Sequence, residues 1–307
     1  MGKKDRAEKV FVGCRDVFAE LINGLIYEGK RIVREENLLP GPTESFYRGE
    51  RDEIRNQFRD CSMYEMAEDR VHTLYNLENQ SMTDERMPLR CAGYDGAAYR
   101  KQYKESNEKG VYPVVSLVLN WGERPWNGAK SIRELVEASE MKIAEELEKY
   151  LDKNQIYVYD MRFLNSEIRE RFQGDVRIVL DYLSDRESLI NRKQKMKNPE
   201  EVMRMLYALS KDRRYLESIE FMEEGEEKSL CDLLDEAENR GIAKGRNEGR
   251  AEGRAEGRIQ GRVEGEEQGI VKACKAFGID FDGSVKKLKE LLGLREEDAV
   301  RSARLYW

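Results

Sequence analysis

Glu78 and Gln80 are the residues whose types and spacing point most directly to chemistry. They lie two positions apart at the end of segment 71–80, which alternates as a strand does. Because successive side chains of a strand point to opposite faces, both share a face with Leu74 and Asn76. A carboxylate and an amide at the end of an otherwise apolar strand are costly to bury unless something satisfies them. We interpret this pair as half of a metal-dependent site that hydrolyses phosphodiester bonds.

Asp60 is the candidate for the second carboxylate of this site. It precedes the polar segment 67–70, which suits a chain reversal. If the flanking segments pair antiparallel, with an odd loop centred on Asp69, then Asp60 lies directly opposite Glu78 on one face of the sheet. Two like charges so placed repel each other unless a divalent cation lies between them, and Gln80 is then close to the same ion. A loop of even length would turn Asp60 to the opposite face.

Segment 5–24 is predicted to form a helix that contains a candidate for a third carboxylate ligand. Its apolar residues recur at helical spacing, and Gly24 is a suitable end. Asp16 and Glu20 lie one turn apart on one face of this helix. They form either a solvated stripe or a source of the third metal ligand behind Glu78, for which Glu20 is the favoured residue.

The other elements predict the fold that positions these side chains. Segment 112–120 is nearly continuously apolar, as expected of an interior strand covered on both faces, and 156–160 is a further short strand. The order of elements predicts an α/β fold with a mixed central sheet flanked by helices. On the first helix after the hairpin, Arg90, Arg100 and Lys101 either face a phosphate backbone or are solvated. The helices are predicted over residues 87–103, 131–151, 174–190 and 200–222.

Composition limits the classes of function. Of the 307 residues, 39% are hydrophobic and 37% are charged, which indicates a packed region accompanied by a solvated, helix-rich one. The net charge of -7 gives no overall basic footprint for nucleic acid. Five scattered cysteines without a CxxC motif, and a single histidine, His72, argue against a zinc site, a disulfide framework and most Ser–His or Cys–His mechanisms. The chain shows no signal peptide and no long apolar run, so we expect a cytoplasmic protein with no membrane partner.

Several blocks of residues together resemble the Rpn recombination-promoting nucleases, also called YhgA-like transposases. This family belongs to the PD-(D/E)XK nuclease superfamily, and the resemblance extends over residues 10–190. It implies a restriction-endonuclease-like fold and a Mg²⁺-dependent DNA endonuclease, with Mn²⁺ as an alternative ion. The blocks are Asp60, the triplet Glu78-Asn79-Gln80, the run Met87-Pro88-Leu89-Arg90 and the run Gly93-Tyr94-Asp95.

The resemblance also implies roles for individual residues. Asp60 and Glu78 are the implied metal ligands, and residue 80 orients or activates the attacking water. Carboxylates suit the hard Mg²⁺ ion, which lowers the pKa of a bound water and stabilises the charged transition state. The chain departs from the superfamily pattern at two positions. Arg59 replaces the proline of the PD pair, and Gln80 replaces the usual lysine, so position 80 supplies no positive charge.

Residues 241–269 contain the only internal repeat of the sequence. Glycine, arginine and glutamate recur in the first, second and fourth positions of a four-residue period. On a helix each position forms a stripe, and each glycine costs about 1 kcal/mol relative to alanine. The repeat is therefore either a flexible charged linker or a helix that pairs with a second copy, glycine on glycine and arginine against glutamate, along a seam with a right-handed drift. Contact of the arginine stripe with DNA is disfavoured by the interleaved glutamates.

Two functional hypotheses follow from these observations. The first is a DNA endonuclease with catalytic residues Asp60, Glu78 and Gln80 and metal ligands Asp60, Glu78 and Glu20. The second is a catalytically impaired nuclease fold that serves as a DNA-binding or interaction module and self-associates through its repeat as a coiled coil. Both hypotheses share one domain organisation: a nuclease-like domain over residues 1–225, a charged glycine-repeat helix over 226–270 and a small helical segment over 271–307.

Overall fold

The chain forms two compact units, Met1–Ala237 and Glu238–Trp307. The first unit contains a mixed β-sheet with helices on its faces, which confirms the predicted fold class. The domain boundary that we predicted at residue 225 lies outside the described residues. The structure, a computed structural model, describes residues 3–48, 54–105, 110–139, 143–150, 154–184, 194–220, 222 and 228–307.

The central sheet has five strands, which lie across the sheet in the order β1 (Leu38–Pro40), β4 (Cys61–Ala67), β5 (Arg70–Gln80), β6 (Val114–Asn120) and β7 (Tyr157–Asp160). The pairs β1–β4 and β4–β5 are antiparallel, whereas the pairs β5–β6 and β6–β7 are parallel. A separate hairpin pairs β2 (Glu44–Arg48) with β3 (Ile54–Phe58). The alternation and apolar runs of β5, β6 and β7 predicted these strands correctly, but the short β1 and the β2–β3 hairpin carry no such pattern and were missed.

The turn between β4 and β5 is even in length, contrary to our expectation of an odd loop. It consists of Glu68 and Asp69, which have φ angles of 49° and 61°, and it pairs Ala67 with Arg70. Two consecutive residues with positive φ are the signature of a tight hairpin turn that follows the natural twist of the strands. By itself this turn would send Asp60 to the face opposite Glu78.

A β-bulge in the same hairpin restores the predicted register. Glu65 pairs with Thr73, but its neighbour Met66 pairs with Val71, so His72 is left as an extra residue on β5. Beyond the bulge, paired residues are equidistant in sequence from Asp69, as the predicted odd loop requires. Cys61 at the start of β4 accordingly pairs with Leu77. The pairing predicted for Asp60 and Glu78 is therefore the next step along the hairpin.

Helices cover both faces of this sheet, which explains why β6 is apolar on both sides. Tyr75 and Leu77 of β5 and Leu117 of β6 belong to the large core formed with helices α1, α2, α6 and α7, whereas Val118 packs with Met87 of α3 on the opposite face. The helices of this unit are α1 (Lys3–Gly13), α2 (Arg15–Leu25), α3 (Met87–Glu105), α4 (Ile132–Ala138), α5 (Ser166–Arg169), α6 (Asp175–Ser184), α7 (Pro199–Ser210) and α8 (Arg214–Ile219).

The helix predicted over residues 5–24 is two helices. Gly13 ends α1, and Cys14 adopts an extended conformation before α2 begins. Gly24, which we expected to end the helix, lies inside α2. A side chain at this position would collide with the ring of Phe172, which comes within 2.3 Å of the place that a Cβ would occupy. The glycine is thus required by close packing and not by helix termination.

Two further predicted helices are interrupted. The segment 131–151 forms only the short α4 and a 3₁₀ turn over Glu145–Tyr150, and residues 140–142 lie outside the described part. The segment 200–222 divides into α7 and α8 because Lys211 takes a left-handed conformation with φ 64°. A residue in this conformation ends a helix by turning the chain away from its axis.

The C-terminal part of the chain contains the helices α9 (Leu230–Ala276), α10 (Phe281–Leu292) and α11 (Glu296–Tyr306). The glycine repeat lies wholly within α9, which confirms that it is helical and not a flexible linker, whereas its pairing with a second copy stays a prediction. Val271, Val285, Leu288 and Ala299 form a small core where the end of α9 meets α10 and α11. Across the described residues, none of the helices combines the length and apolar character that crossing a bilayer requires.

Candidate metal centre and active-site cleft

Glu78 is a buried carboxylate at the end of β5, on the face covered by α3. Its side chain is 1% exposed, and among the described residues its Oε1 atom has no hydrogen-bond partner. Its Oε2 atom accepts a long hydrogen bond from Nη2 of Arg90, at 3.4 Å. Burial first and the negative charge of Asp60 second raise the pKa of Glu78 to about 8. The structure therefore holds this group where its ionisation is costly and incompletely compensated.

Asp60 lies beside Glu78, immediately before β4. Its Oδ2 atom accepts the backbone N–H of Asn79 at 2.9 Å, and its Oδ1 atom lies 3.2 Å from Nζ of Lys9 on α1. Because Asn79 directly follows Glu78, the hydrogen bond to its backbone N–H places the two carboxylates close together, and the charge of Asp60 accordingly contributes to the raised pKa of Glu78. The structure thus brings Asp60 and Glu78 together, as the hairpin register predicts.

Gln80 lies at the rim of the sheet, in a cleft of about 620 Å³ that also exposes Asp60. The intervening Asn79 has a different task, since its Oδ1 atom accepts a hydrogen bond of 2.9 Å from the indole of Trp121 in the main core. The triplet 78–80 therefore contributes its first and third residues to one side of the strand and its second to the other. The cleft is lined by Glu8, Asp60, Asn79, Gln80, Ser81, Met82, Thr83, Asp84, Glu85, Arg86 and Arg90.

Glu8 of α1 is a cleft residue that the sequence analysis missed. It is 1% exposed, and its Oε1 atom accepts the hydroxyl of Ser81 at 3.1 Å. A signal was available, because Glu8 precedes the buried Phe11 and Val12 by three and four residues and so belongs to the apolar stripe of its helix. A carboxylate on a buried stripe needs a partner, which is a stronger indication of a site than the one-turn spacing between Asp16 and Glu20.

The structure does not bring Glu20 to the cleft, which corrects its prediction as the third metal ligand. Its carboxylate accepts the backbone N–H groups of Gln173, Gly174 and Val176 at 2.8, 2.6 and 3.1 Å. These amides belong to the start of α6, where a helix has no backbone acceptors of its own. Burial raises the pKa of Glu20 although these hydrogen bonds oppose the shift. Asp16 is also elsewhere, and it accepts a hydrogen bond from Asn198 at 2.7 Å.

Replacing Glu20 by alanine is expected to lower the free energy of unfolding by about 2 kcal/mol, because three amides at the start of α6 lose their acceptor. Glu20→Gln keeps one acceptor oxygen and should lose less. Urea denaturation measures both variants. The rise in the free energy of unfolding caused by Mg²⁺ should be the same in Glu20→Gln as in the unmodified protein. If Mg²⁺ no longer stabilised the variant, Glu20 would have to be a metal ligand after all.

Arg59, which stands at the proline position of the superfamily pattern, is the buried end of a polar network. Its guanidinium lies 5.2 Å from the ring centre of Tyr94 and 3.4 Å from Asp95, and burial lowers its pKa. Asp95 accepts the hydroxyl of Ser116 at 2.6 Å, and Ser116 accepts an amide hydrogen of Asn76 at 3.1 Å. The network ties α3 to β5 and β6 on the face that carries Glu78, so it holds the floor of the cleft in place.

The pair Asp60 and Glu78 fits a hard divalent cation. Two adjacent carboxylates, one with a buried oxygen that has no partner among the described residues, are stabilised by a positive ion that replaces lost solvation. Within the described part of the chain, no three His, Cys, Asp or Glu side chains are grouped at metal-ligand spacing. This donor set suits Mg²⁺, which keeps several of its waters and binds through one or two carboxylates, better than an ion that requires a complete protein cage.

The family model described as "Putative transposase, YhgA-like" matches residues 51–213. This match includes Asp60, Glu78, Gln80 and Arg90 and extends over more than half of the sequence. The chain therefore belongs to the YhgA-like transposase family. No curated protein matches the chain, and neither does any solved structure.

Proposed function

We propose that this protein is a Mg²⁺-dependent DNA endonuclease that hydrolyses phosphodiester bonds. The observation that carries the proposal is the buried Glu78, one oxygen of which has no partner among the described residues, placed beside Asp60, which lines the cleft. A fold gains nothing in stability from such a pair, and perturbed carboxylates in clefts are typical of functional sites. Membership in a family described by transposition supports DNA as the substrate.

Each residue of the cleft has a role in this proposal. Asp60 and Glu78 would hold Mg²⁺ or Mn²⁺, and the bound ion would supply activation of a water and stabilisation of the charge of the transition state. Gln80 is neutral, so its amide orients the attacking water or the phosphate without contributing charge. Glu8, fixed by its contact with Ser81, keeps the first helix at the rim of the cleft. Ionised Glu78 is the form that binds a cation, so ion binding competes with its proton.

The test is cleavage of supercoiled plasmid by the purified protein in Mg²⁺ or Mn²⁺, compared with the Asp60→Asn variant. Asp69→Asn is a matched control, since it removes one carboxylate from the far end of the same hairpin, and asparagine tolerates the left-handed conformation of that turn. Cleavage that depends on Asp60 supports the proposal. DNA binding without cleavage by the unmodified, folded protein would instead favour the interaction module.

We further propose that two copies associate in parallel through residues 241–269. Among the described residues, and apart from the backbone of the helix itself, no atom lies within 4 Å of the Cβ positions of the eight repeat glycines of α9, so their stripe is open to a partner. At about 100° per residue, arginine and glutamate flank this stripe on its two sides. When two such helices pair in parallel through their glycine stripes, the arginine stripe of one helix faces the glutamate stripe of the other. The e and g positions of a parallel coiled coil face each other in the same way.

Association is expected to weaken at least tenfold when Gly253 and Gly257 are both replaced by glutamine, because side chains would separate the two glycine stripes. Glutamine favours helix over glycine, so helicity by circular dichroism should not fall. The matched control places the same side chains at Ala251 and Ala255, which lie on the side of the helix opposite the glycine stripe. Sedimentation velocity at several protein concentrations measures the effect, and equal behaviour of the two double variants would contradict this interface.

A further inference from the structure

Arg90 is held at the cleft by two carboxylates. Its Nη1 atom donates a hydrogen bond of 2.8 Å to Asp84, and its Nη2 atom lies 3.4 Å from Glu78. Asp84 is itself fixed at the start of α3, where its other oxygen accepts the backbone N–H of Arg86 at 3.0 Å. The guanidinium is 35% exposed and lines the cleft together with Gln80. It is therefore anchored on one side and open to a ligand on the other.

The proposed chemistry needs a positive charge that position 80 does not provide. Negative charge develops on the phosphate oxygens during hydrolysis, and fixed cations in a water-poor site stabilise it strongly. Three cationic side chains influence Glu78, namely Arg90, Arg59 and Lys9. Arg59 is 5% exposed and paired with Asp95, and Lys9 is paired with Asp60, whereas Arg90 lines the cleft itself. Its planar fork of donors also suits a phosphate better than a lysine does.

We propose that Arg90 is a catalytic residue that binds the scissile phosphate and supplies the positive charge missing at Gln80. This inference rests on the proposed endonuclease function. Asp84 keeps the guanidinium in the cleft, and the Nη2 group, whose hydrogen bond to Glu78 is long at 3.4 Å, is the one placed to bind a phosphate oxygen. The charge thus comes from α3 and not from β5.

The first experiment measures DNA affinity without a divalent ion, so that it does not depend on catalysis. Binding of a short fluorescein-labelled duplex is followed by anisotropy in EDTA at several salt concentrations. Arg90→Gln should weaken binding several-fold and reduce the slope of log affinity against log salt by about 1. Arg100→Gln is the matched control, because it removes the same charge from an exposed position of the same helix. Equal losses in both variants would overturn the proposal.

The second experiment moves the charge. Arg90→Gln should cut plasmid on the order of 10²–10³-fold more slowly, the usual effect of removing one transition-state donor. Adding Gln80→Lys to this variant should restore at least tenfold of the lost rate, since the new ammonium lies in the same cleft. A double variant no faster than Arg90→Gln alone would overturn the assignment.

A third measurement separates phosphate binding from metal binding and from folding. Arg90→Gln should retain the Mg²⁺-induced rise in melting temperature, because Asp60 and Glu78 remain. Loss of that rise would mean that Arg90 acts through the metal site, which also overturns the proposal. If the unmodified protein does not cleave DNA at all, the endonuclease function fails, and the metal-free affinities still decide whether Arg90 contacts phosphate.

Discussion

Asp60→Asn is expected to slow DNA cleavage by at least about 10³-fold while the protein remains folded. The substitution removes one of two carboxylate ligands, and metal-centred charge stabilisation amounts to several kcal/mol of the activation barrier. Asparagine preserves the shape of the side chain and can still accept the N–H of Asn79, so the start of β4 should stay in place. The stability cost should be small, because the loss of the ion pair with Lys9 is offset by the loss of the repulsion between Asp60 and Glu78.

Rates of plasmid nicking and linearisation over a range of Mg²⁺ concentrations measure this effect. A lost ligand weakens ion binding, so part of the defect should be recovered at high Mg²⁺, whereas a damaged fold would show no such recovery. Asp69→Asn should cleave at the unmodified rate. A folded Asp60→Asn protein with full activity would rule out the assignment of Asp60 as a metal ligand.

Glu78→Gln is expected to stabilise the protein by an amount that grows with pH. Burial raises the pKa of Glu78 from its ordinary value of 4.5 to about 8, so the folded state binds the proton more tightly than the unfolded chain. The corresponding stability is fully present below about pH 4.5 and is lost as the pH rises through about 8. Glutamine resembles the protonated acid at every pH and does not undergo this loss.

The size of the effect follows from the pKa shift. At about 1.4 kcal/mol per pKa unit, ionising Glu78 in the folded state costs on the order of 5 kcal/mol. For a unit of this size, that corresponds to a difference in melting temperature of roughly 10 °C. We expect Glu78→Gln and the unmodified protein to melt together at pH 5 and to differ by several degrees at pH 9. Identical melting curves at pH 9 would show that Glu78 ionises without penalty.

Divalent ions should narrow this difference in melting temperature. An ion that binds the ionised carboxylate pair stabilises the folded state by mass action, about 2.7 kcal/mol at a hundred times the dissociation constant. The Mg²⁺-induced rise in melting temperature should therefore increase from pH 6 to pH 8.5 in the unmodified protein and be absent in Glu78→Gln. Samples treated with EDTA and free of Mg²⁺ provide the baseline melting temperature. A variant that loses activity and gains stability is the behaviour expected of a carboxylate kept for function.

The hairpin shows why the site was partly predictable from sequence. Alternation along β5 assigned Glu78 and Gln80 to one face, and this holds because backbone geometry alone fixes that periodicity. The partner strand was harder, since its register depends on the turn and on the bulge at His72, two shifts that cancel. No local sequence pattern indicates the bulge. The pairing of Asp60 with Glu78 was nevertheless predicted, because an even loop followed by a bulge gives the same strand register as an odd loop.

Spacing and residue type thus defined the strand face, the helical repeat and the two carboxylates that belong to one hairpin. They did not identify which carboxylate of the first helical segment enters the cleft, because that depends on the face each helix turns to the sheet. Glu20 lies at the start of α6 and Glu8 lies in the cleft, although both occur at helical spacing among apolar residues. The burial that raises the pKa of Glu78 and the placement of Arg90 beside it likewise arise from α3 packing on the sheet, a contact between segments that no local pattern encodes.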